Sequence, residues 1–363
     1  MRIAILREIS PGESRVALLP DAVRALVSKG IEVMVEGGSG IAAGSADEDY
    51  ARAGATVTSD RNLLMASADV IPVVNCPDSS DLGLLKPGAV IIGFLRPLDD
   101  PAPLQPAIER GATLFAVELV PRITRAQAMD ALSSMATVAG YKAAILAAAH
   151  LPRMFPLLMT AAGTVPPAHV LVLGAVVLGY DIRAAAGEQV RSLGAKFLEV
   201  DLGGIETEDK GGYAKELTEE ALARGRELIA KTARTSDVVI TTAQVPGRRA
   251  PRLMDRAAIE GMRLGSVIVD LAAPAGGNCE LTQPGEEIHH HGVTIIGPLN
   301  LPATVPVHAS QLYSKNISNF LQLLVRDGAL NIDMNDEIIR DSCVAHKGEI
   351  VNKRVAEALH ARA

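Results

Sequence analysis

The stretch HVLVLGAVVLGYDIR, residues 169–183, holds two apolar, β-branched runs parted by glycine. HVLVLGA (169–175) reads as the first strand of a dinucleotide-binding unit, with Gly174 at the turn, and VVLGYDIR (176–183) as the second, ending in Asp181. A carboxylate at that strand end accepts both hydroxyls of an adenosine ribose and disfavours a 2′-phosphate, which selects NAD over NADP. The complete unit needs G-x-G-x-x-G opening a helix, with the acidic residue about 20 positions on. Here Asp181 follows Gly174 by only seven positions, and Val176 stands where a second glycine would let the backbone approach a pyrophosphate. A crossover between parallel strands takes about a dozen residues or more. Two readings stay open. The run is one buried strand, or it is a degenerate nucleotide site. In the second case the glycine turn is gone, and with it the helix N-terminus whose amides and dipole hold the phosphates.

Outward from this stretch the pattern repeats. KFLEV, DVVITTA, SVIVDLA and VTIIG follow it, and RIAIL (2–6), IEVMVE (31–36), ADVIPVVN (68–75), AVIIGFL (89–95) and TLFAVELV (113–120) precede it. Strands alternating with helical segments form parallel sheets covered on both faces. Two sets of strands predict an α/β protein of two Rossmann-like domains, the first βαβ crossover of the second being absent. RITRAQAMDALSSMATVAGYKAAILAAAHL (122–151) reads mostly as one long helix, and ASQLYSKNISNFLQLLVRDG (309–328) as a helix returning the chain and stopped by Gly328. The expected division is 1–125 with 309–363 as one discontinuous domain, and 126–308, linking helix included, as a second domain inserted in it.

Composition narrows the function. Hydrophobic residues make up 48% of 363 and charged ones 21%, enough for sizeable cores and too apolar for disorder. With 35 Lys and Arg against 42 Asp and Glu, the net charge of -7 argues against a nucleic-acid partner. Cys76, Cys279 and Cys343 lie far apart, so neither a disulfide framework nor a zinc knuckle is expected, and a reducing compartment is. The charged start MRIAILREISPGESR does not read as a signal peptide. No uninterrupted apolar run approaches about 18 residues, so no membrane insertion is expected. His289, His290 and His291 alternate in direction if extended and cannot share one metal; they read as a solvated turn. Arg248 and Arg249 suit either a phosphate or a solvated loop, and Cys279 reads as an inert thiol.

Longer motifs carry a resemblance. REISPGESRVALLP (7–20), PRITRAQAMDALSSMATVAGYKA (121–143), EQVRSLGAKFLEV (188–200), GGYAKELTEE (211–220), DVVITTAQVPGRRAP (237–251) and GSVIVDLAAPAGGN (265–278) together resemble the alanine dehydrogenase/transhydrogenase family, on its transhydrogenase side. The resemblance implies a chain that binds NAD(H) and passes hydride to NADP(H) held on a partner subunit. It also implies a membrane-embedded subunit for proton translocation, a homodimer, and a cytoplasmic location peripheral to the membrane. It places Arg122, Gln127, Asp130 and Ser133 at the nicotinamide. Gly174, Asp181, Ile182, Arg183, Gly211 and Val245 fall in the remaining cofactor-binding positions, with Gln244–Ala250 a mobile loop over the nucleotide. No metal is implied. Gln127 and Asp130, three apart, would share a helix face. Met135 replaces a glutamine common in relatives, and about sixteen residues around the glycine turn are missing. Alanine dehydrogenase is the alternative. That enzyme's substrate lysine and acid/base histidine fall at Asn75 and Arg96, and its aspartate at Pro274. Arginine does not exchange a proton near neutral pH. A second alternative is a relic that no longer binds NAD.

Overall fold

The computed structural model describes residues 1–173, 179–180, 188, 192, 197, 219–326 and 328–360. It divides into two compact units, Met1–Val138 with Pro302–Ala363, and Ala139–Leu301. The seams fall near 138 and 301, the first of them inside the linking helix, against the 125 and 308 expected from sequence.

In the first unit β1 (Arg2–Ile5), β2 (Glu32–Glu36), β3 (Thr56–Thr58), β4 (Val70–Asn75), β5 (Val90–Phe94) and β6 (Thr113–Ala116) run parallel. Side chains alternate across such a sheet. Ile3, Ile5, Val33, Val35, Val70 and Phe115 fill one core, while Ala4, Met34, Ile71, Val73, Ile91 and Leu114 fill the other.

The second unit carries an exposed two-stranded hairpin, β7 (Leu158–Thr160) and β8 (Gly163–Val165). Its sheet contains β9 (Val170–Leu173), β10 (Gly179–Tyr180), β11 (Val238–Thr241), β12 (Val267–Asp270), β13 (Glu287–His290) and β14 (Val293–Ile296), in the order β10-β9-β11-β12-β14-β13. Leu171, Leu173, Val239 and Ile268 face one core, and Val172, Val238, Ile240 and Val269 the other.

Several expectations need correction. The sheets are not wholly parallel. β15 (Val325–Arg326) and β16 (Ala329–Leu330) form a small hairpin, after which β17 (Cys343–His346) adds antiparallel to β6 and β18 (Glu349–Ile350) antiparallel to β17, closing the first sheet's edge. The three histidines are not a turn: His289 and His290 lie in β13, antiparallel to β14, and only His291 turns, at φ 49°. His290 Nε2 meets Glu260 at 2.8 Å. The linking helix starts late, at Ala131–His150, after a 3-10 segment Thr124–Met129. By length and composition it passes for a membrane-crossing helix because of its alanines, although Ser133, Ser134, Thr137 and Lys142 interrupt its apolar run. Ala131, Met135 and Val138 nevertheless pack in the first unit's core, and Ala143 and Ala147 in the second's. The return helix, Pro306–Leu324, ends four residues before Gly328, where β15 takes over.

β9 and β10 are separate parallel neighbours, with Val172 opposite Gly179 and Leu173 opposite Tyr180. The reading of one fused strand is therefore wrong. Five residues, 174–178, separate them in sequence, fewer than the dozen or so that a helical crossover takes.

Candidate nucleotide site

In parallel α/β sheets, ligands bind beyond the carboxyl ends of the strands where the strand order reverses. In the second unit that point lies between β9 and β11. There Thr242 N–H donates to Leu173 O at 2.8 Å, and the loop 243–250 begins. Asn278, fully buried, holds both ends of this loop. Its Nδ2 donates to Ala243 O (2.9 Å) and Pro251 O (2.7 Å), and its Oδ1 accepts from Ala243 N–H (3.0 Å). Asp270, at the end of β12, is also fully buried. It accepts from Asn278 N–H, Cys279 N–H and the Thr282 hydroxyl at 2.7, 3.1 and 2.6 Å. Sequence reasoning missed both residues; the signal was two short polar side chains within SVIVDLAAPAGGN (266–278), one in the strand and one at the motif's end. Val245 is exposed, as are Arg248 and Arg249, and a Cβ on Gly276 would lie 2.9 Å from Arg249 Nε. Cys279 is buried, and burial pushes its thiol well above the usual range, so it is no nucleophile.

In the first unit, Gln127, Asp130, Ser133, Ser134, Thr137 and Leu312 line a groove of about 460 Å³. Its geometry comes from the junction of two helix types. The 3-10 segment ends as Asp130 leaves helical geometry (ψ 81°), so Gln127 and Asp130 do not share a regular helix face, yet both reach the groove. Asp130 caps the linking helix instead: its Oδ1 accepts Ser133 N–H at 2.8 Å and its Oδ2 the Ser133 hydroxyl at 2.6 Å. Arg122 is exposed and lies outside this lining. Beside it, Arg125 forks onto Asp336 at 2.6 and 2.9 Å. Gly174, Asp181, Ile182, Arg183 and Gly211 lie outside the described residues.

Asn75 closes β4 at its carboxyl end, and Arg96 lies two residues beyond the end of β5. Asn75 Nδ2 donates to Glu13 at 2.9 Å and Glu8 at 3.4 Å, while Glu8 also accepts the N–H groups of Val74 and Asn75. Burial pushes the Glu8 carboxyl up to about 7. Burial opposes ionisation of Glu13 too, but the paired Arg15 brings it down to about 2. Arg96 adopts φ 52° and donates its N–H to Glu118 at 2.5 Å; burial raises the Glu118 carboxyl to about 7, and its Oε2 is buried with no partner among the described residues. Neither position presents an amine or imidazole. Among the described residues, no three His, Cys, Asp or Glu gather to hold a metal.

The fold is that of a chain of two α/β units with parallel-dominated, Rossmann-like sheets. Two family signatures then cover nearly all of it: the alanine dehydrogenase/PNT N-terminal domain matches residues 4–139 and the C-terminal domain residues 143–353. The chain belongs to the alanine dehydrogenase/PNT family. It is 43% identical to the first part of NAD(P) transhydrogenase subunit alpha of Rhodospirillum rubrum, across 97% of this chain and 98% of that one. Alanine dehydrogenase of Halomonas elongata is 29% identical across 99% and 96%. The crystal structure of transhydrogenase from Sinorhizobium meliloti superposes with a TM-score of 0.83 at 37% identity, covering 97% of this chain and 99% of that one.

Proposed function

We propose that this chain is the NAD(H)-binding component of a proton-translocating transhydrogenase, passing hydride between NADH and NADP+ held on a partner subunit. The observation that carries the reading is end-to-end similarity to a transhydrogenase alpha chain, well above that to alanine dehydrogenase. The donor set agrees. The groove offers an amide, a carboxylate and hydroxyls beside an aliphatic wall, which suits a ring bearing a carboxamide and a ribose, and its volume suits one end of a dinucleotide. Gln127 would hydrogen-bond the carboxamide; Asp130 and Ser133 would hold ribose hydroxyls; Arg122 would stand at the groove's approach. The bound cofactor supplies the hydride chemistry, so no protein acid or base is required. Asp181, Ile182 and Arg183 would take the adenosine ribose, with Gly174, Gly211 and Val245 along the rest of the dinucleotide. The partners would be an NADP-binding subunit and a membrane-embedded one, with this chain a homodimer peripheral to the cytoplasmic membrane. The exposed Leu157, Met159, Tyr141 and Ile145 supply apolar surface for such assembly.

One observation favours a second reading, a family member that no longer holds NAD. Only five residues separate β9 and β10 in sequence, where a crossover whose helix N-terminus holds a pyrophosphate takes about a dozen. The match to the Rhodospirillum rubrum chain runs over 376 positions against 363 residues here, so that relative carries residues this chain lacks. Titration with NADH, followed by nucleotide fluorescence with NADPH as control, separates the readings. Saturable binding of NADH and little of NADPH supports the active component. No binding at millimolar NADH sinks it in favour of the second.

A further inference from the structure

We infer that Asn316 and Asn319 of the return helix are positioning residues for the groove, acting through the main-chain carbonyl of Ala128. This rests on the reading that Gln127 and Asp130 hold the nicotinamide end. Ala128 lies between those two residues, and its oxygen accepts Nδ2–H from Asn316 at 3.0 Å and from Asn319 at 2.9 Å. The two asparagines stand three apart on one helix face, and Leu312, a turn before Asn316, lines the groove itself.

The segment they hold is poorly able to hold itself. A 3-10 turn of six residues has weak internal geometry, and here the Asp130 N–H reaches Gln127 O at only 3.3 Å. Ala126 and Met129 anchor it in the core, whereas Gln127 and Ala128 are exposed. A carbonyl has two lone pairs, and two convergent donors fix the rotation of the peptide that follows it. Asn316 is itself buried, and its Oδ1 has no partner among the described residues. An unpaired buried oxygen is costly, and an apolar side chain would avoid that cost. The donor end of this amide is therefore the reason for an asparagine here.

The test uses the whole chain assembled with its NADP-binding partner, measuring hydride transfer from NADH to NADP+ in wild type, Asn319→Ala and the double variant Asn316→Leu with Asn319→Ala. Displacement of a positioned group by about 1 Å costs on the order of a hundredfold in rate. The double variant is expected to lose about tenfold or more at saturating NADH, with KM for NADH within about threefold. The single variant, which keeps one donor, is expected to lose less. In the chain alone, the amides of Asp130, Ser133 and Ser134 should exchange about tenfold faster in the double variant, with an unchanged melting midpoint. A transfer rate within twofold of wild type overturns the inference, as does a joint fall of melting midpoint and NADH affinity, which marks a merely structural role. If wild type transfers no hydride, the nucleotide reading fails separately and exchange decides: faster exchange confined to 126–134 upholds the clamp, and unchanged exchange overturns it.

Discussion

Glu118 shows how one buried carboxyl sets a pH dependence. Burial raises it from the ordinary 4.5 to about 7, against the opposing hydrogen bond from Arg96 N–H. A raised folded-state value means that the native state binds the proton more tightly than the unfolded chain does. The resulting stability is complete below about pH 4.5 and is lost as pH rises through about 7. Glu8 follows the same sign; Glu13 follows the opposite one, its contribution complete above about pH 4.5 and lost as pH falls through about 2. Glu118→Gln keeps the shape and removes the ionisation. Its melting midpoint should exceed that of wild type at pH 8, by an amount equivalent to roughly 1–2 kcal/mol, and match it at pH 4.5. Parallel melting curves at both pH values would contradict this.

At the scale of elements, Asp130 does two jobs that separate by substitution. As helix cap it accepts from Ser133; as a groove carboxylate it carries charge. Asp130→Asn retains a capping acceptor, and Asp130→Ala removes it at a cost of about 1 kcal/mol. Thermal melts should therefore rank wild type and Asn together above Ala, while NADH affinity should fall in both variants. Equal affinity in wild type and Asn would show that the charge is not used. The central strands were legible because their runs are unbroken and β-branched, as in Val70–Asn75 and Val90–Phe94. β3 and β17 were not, because TVT and CVAH are too short to show a period, and β17 joins the main sheet by pairing with β6 from more than 200 residues away. The three histidines misled through their polarity: β13 is an edge strand, where polar side chains are tolerated. The groove was half legible. The family resemblance implied Gln127 and Asp130, which both line it, but the break at Asp130 and the two asparagines behind Ala128 depend on tertiary packing that no local pattern encodes.

For the whole molecule, the tail's return has a consequence in time. β6 ends at Ala116, yet the strand that covers its edge begins at Cys343, and the return helix supplies Tyr313, Ile317 and Phe320 to the same core. A ribosome delivers residues in order, at about 5–20 per second. The first six strands therefore emerge long before their covering partners, with an open hydrogen-bonding edge and an unfilled apolar face. Ala139–Leu301, by contrast, is continuous in the chain and can close while the tail is still being made. The later-made unit should then be the earlier one to mature. Nascent chains arrested before residue 343 should yield to protease within 1–138 while protecting 219–301; uniform protection of both would refute that order. The fold thus stakes its first-made strands on its last-made ones, so truncated products of this chain are its most aggregation-prone species.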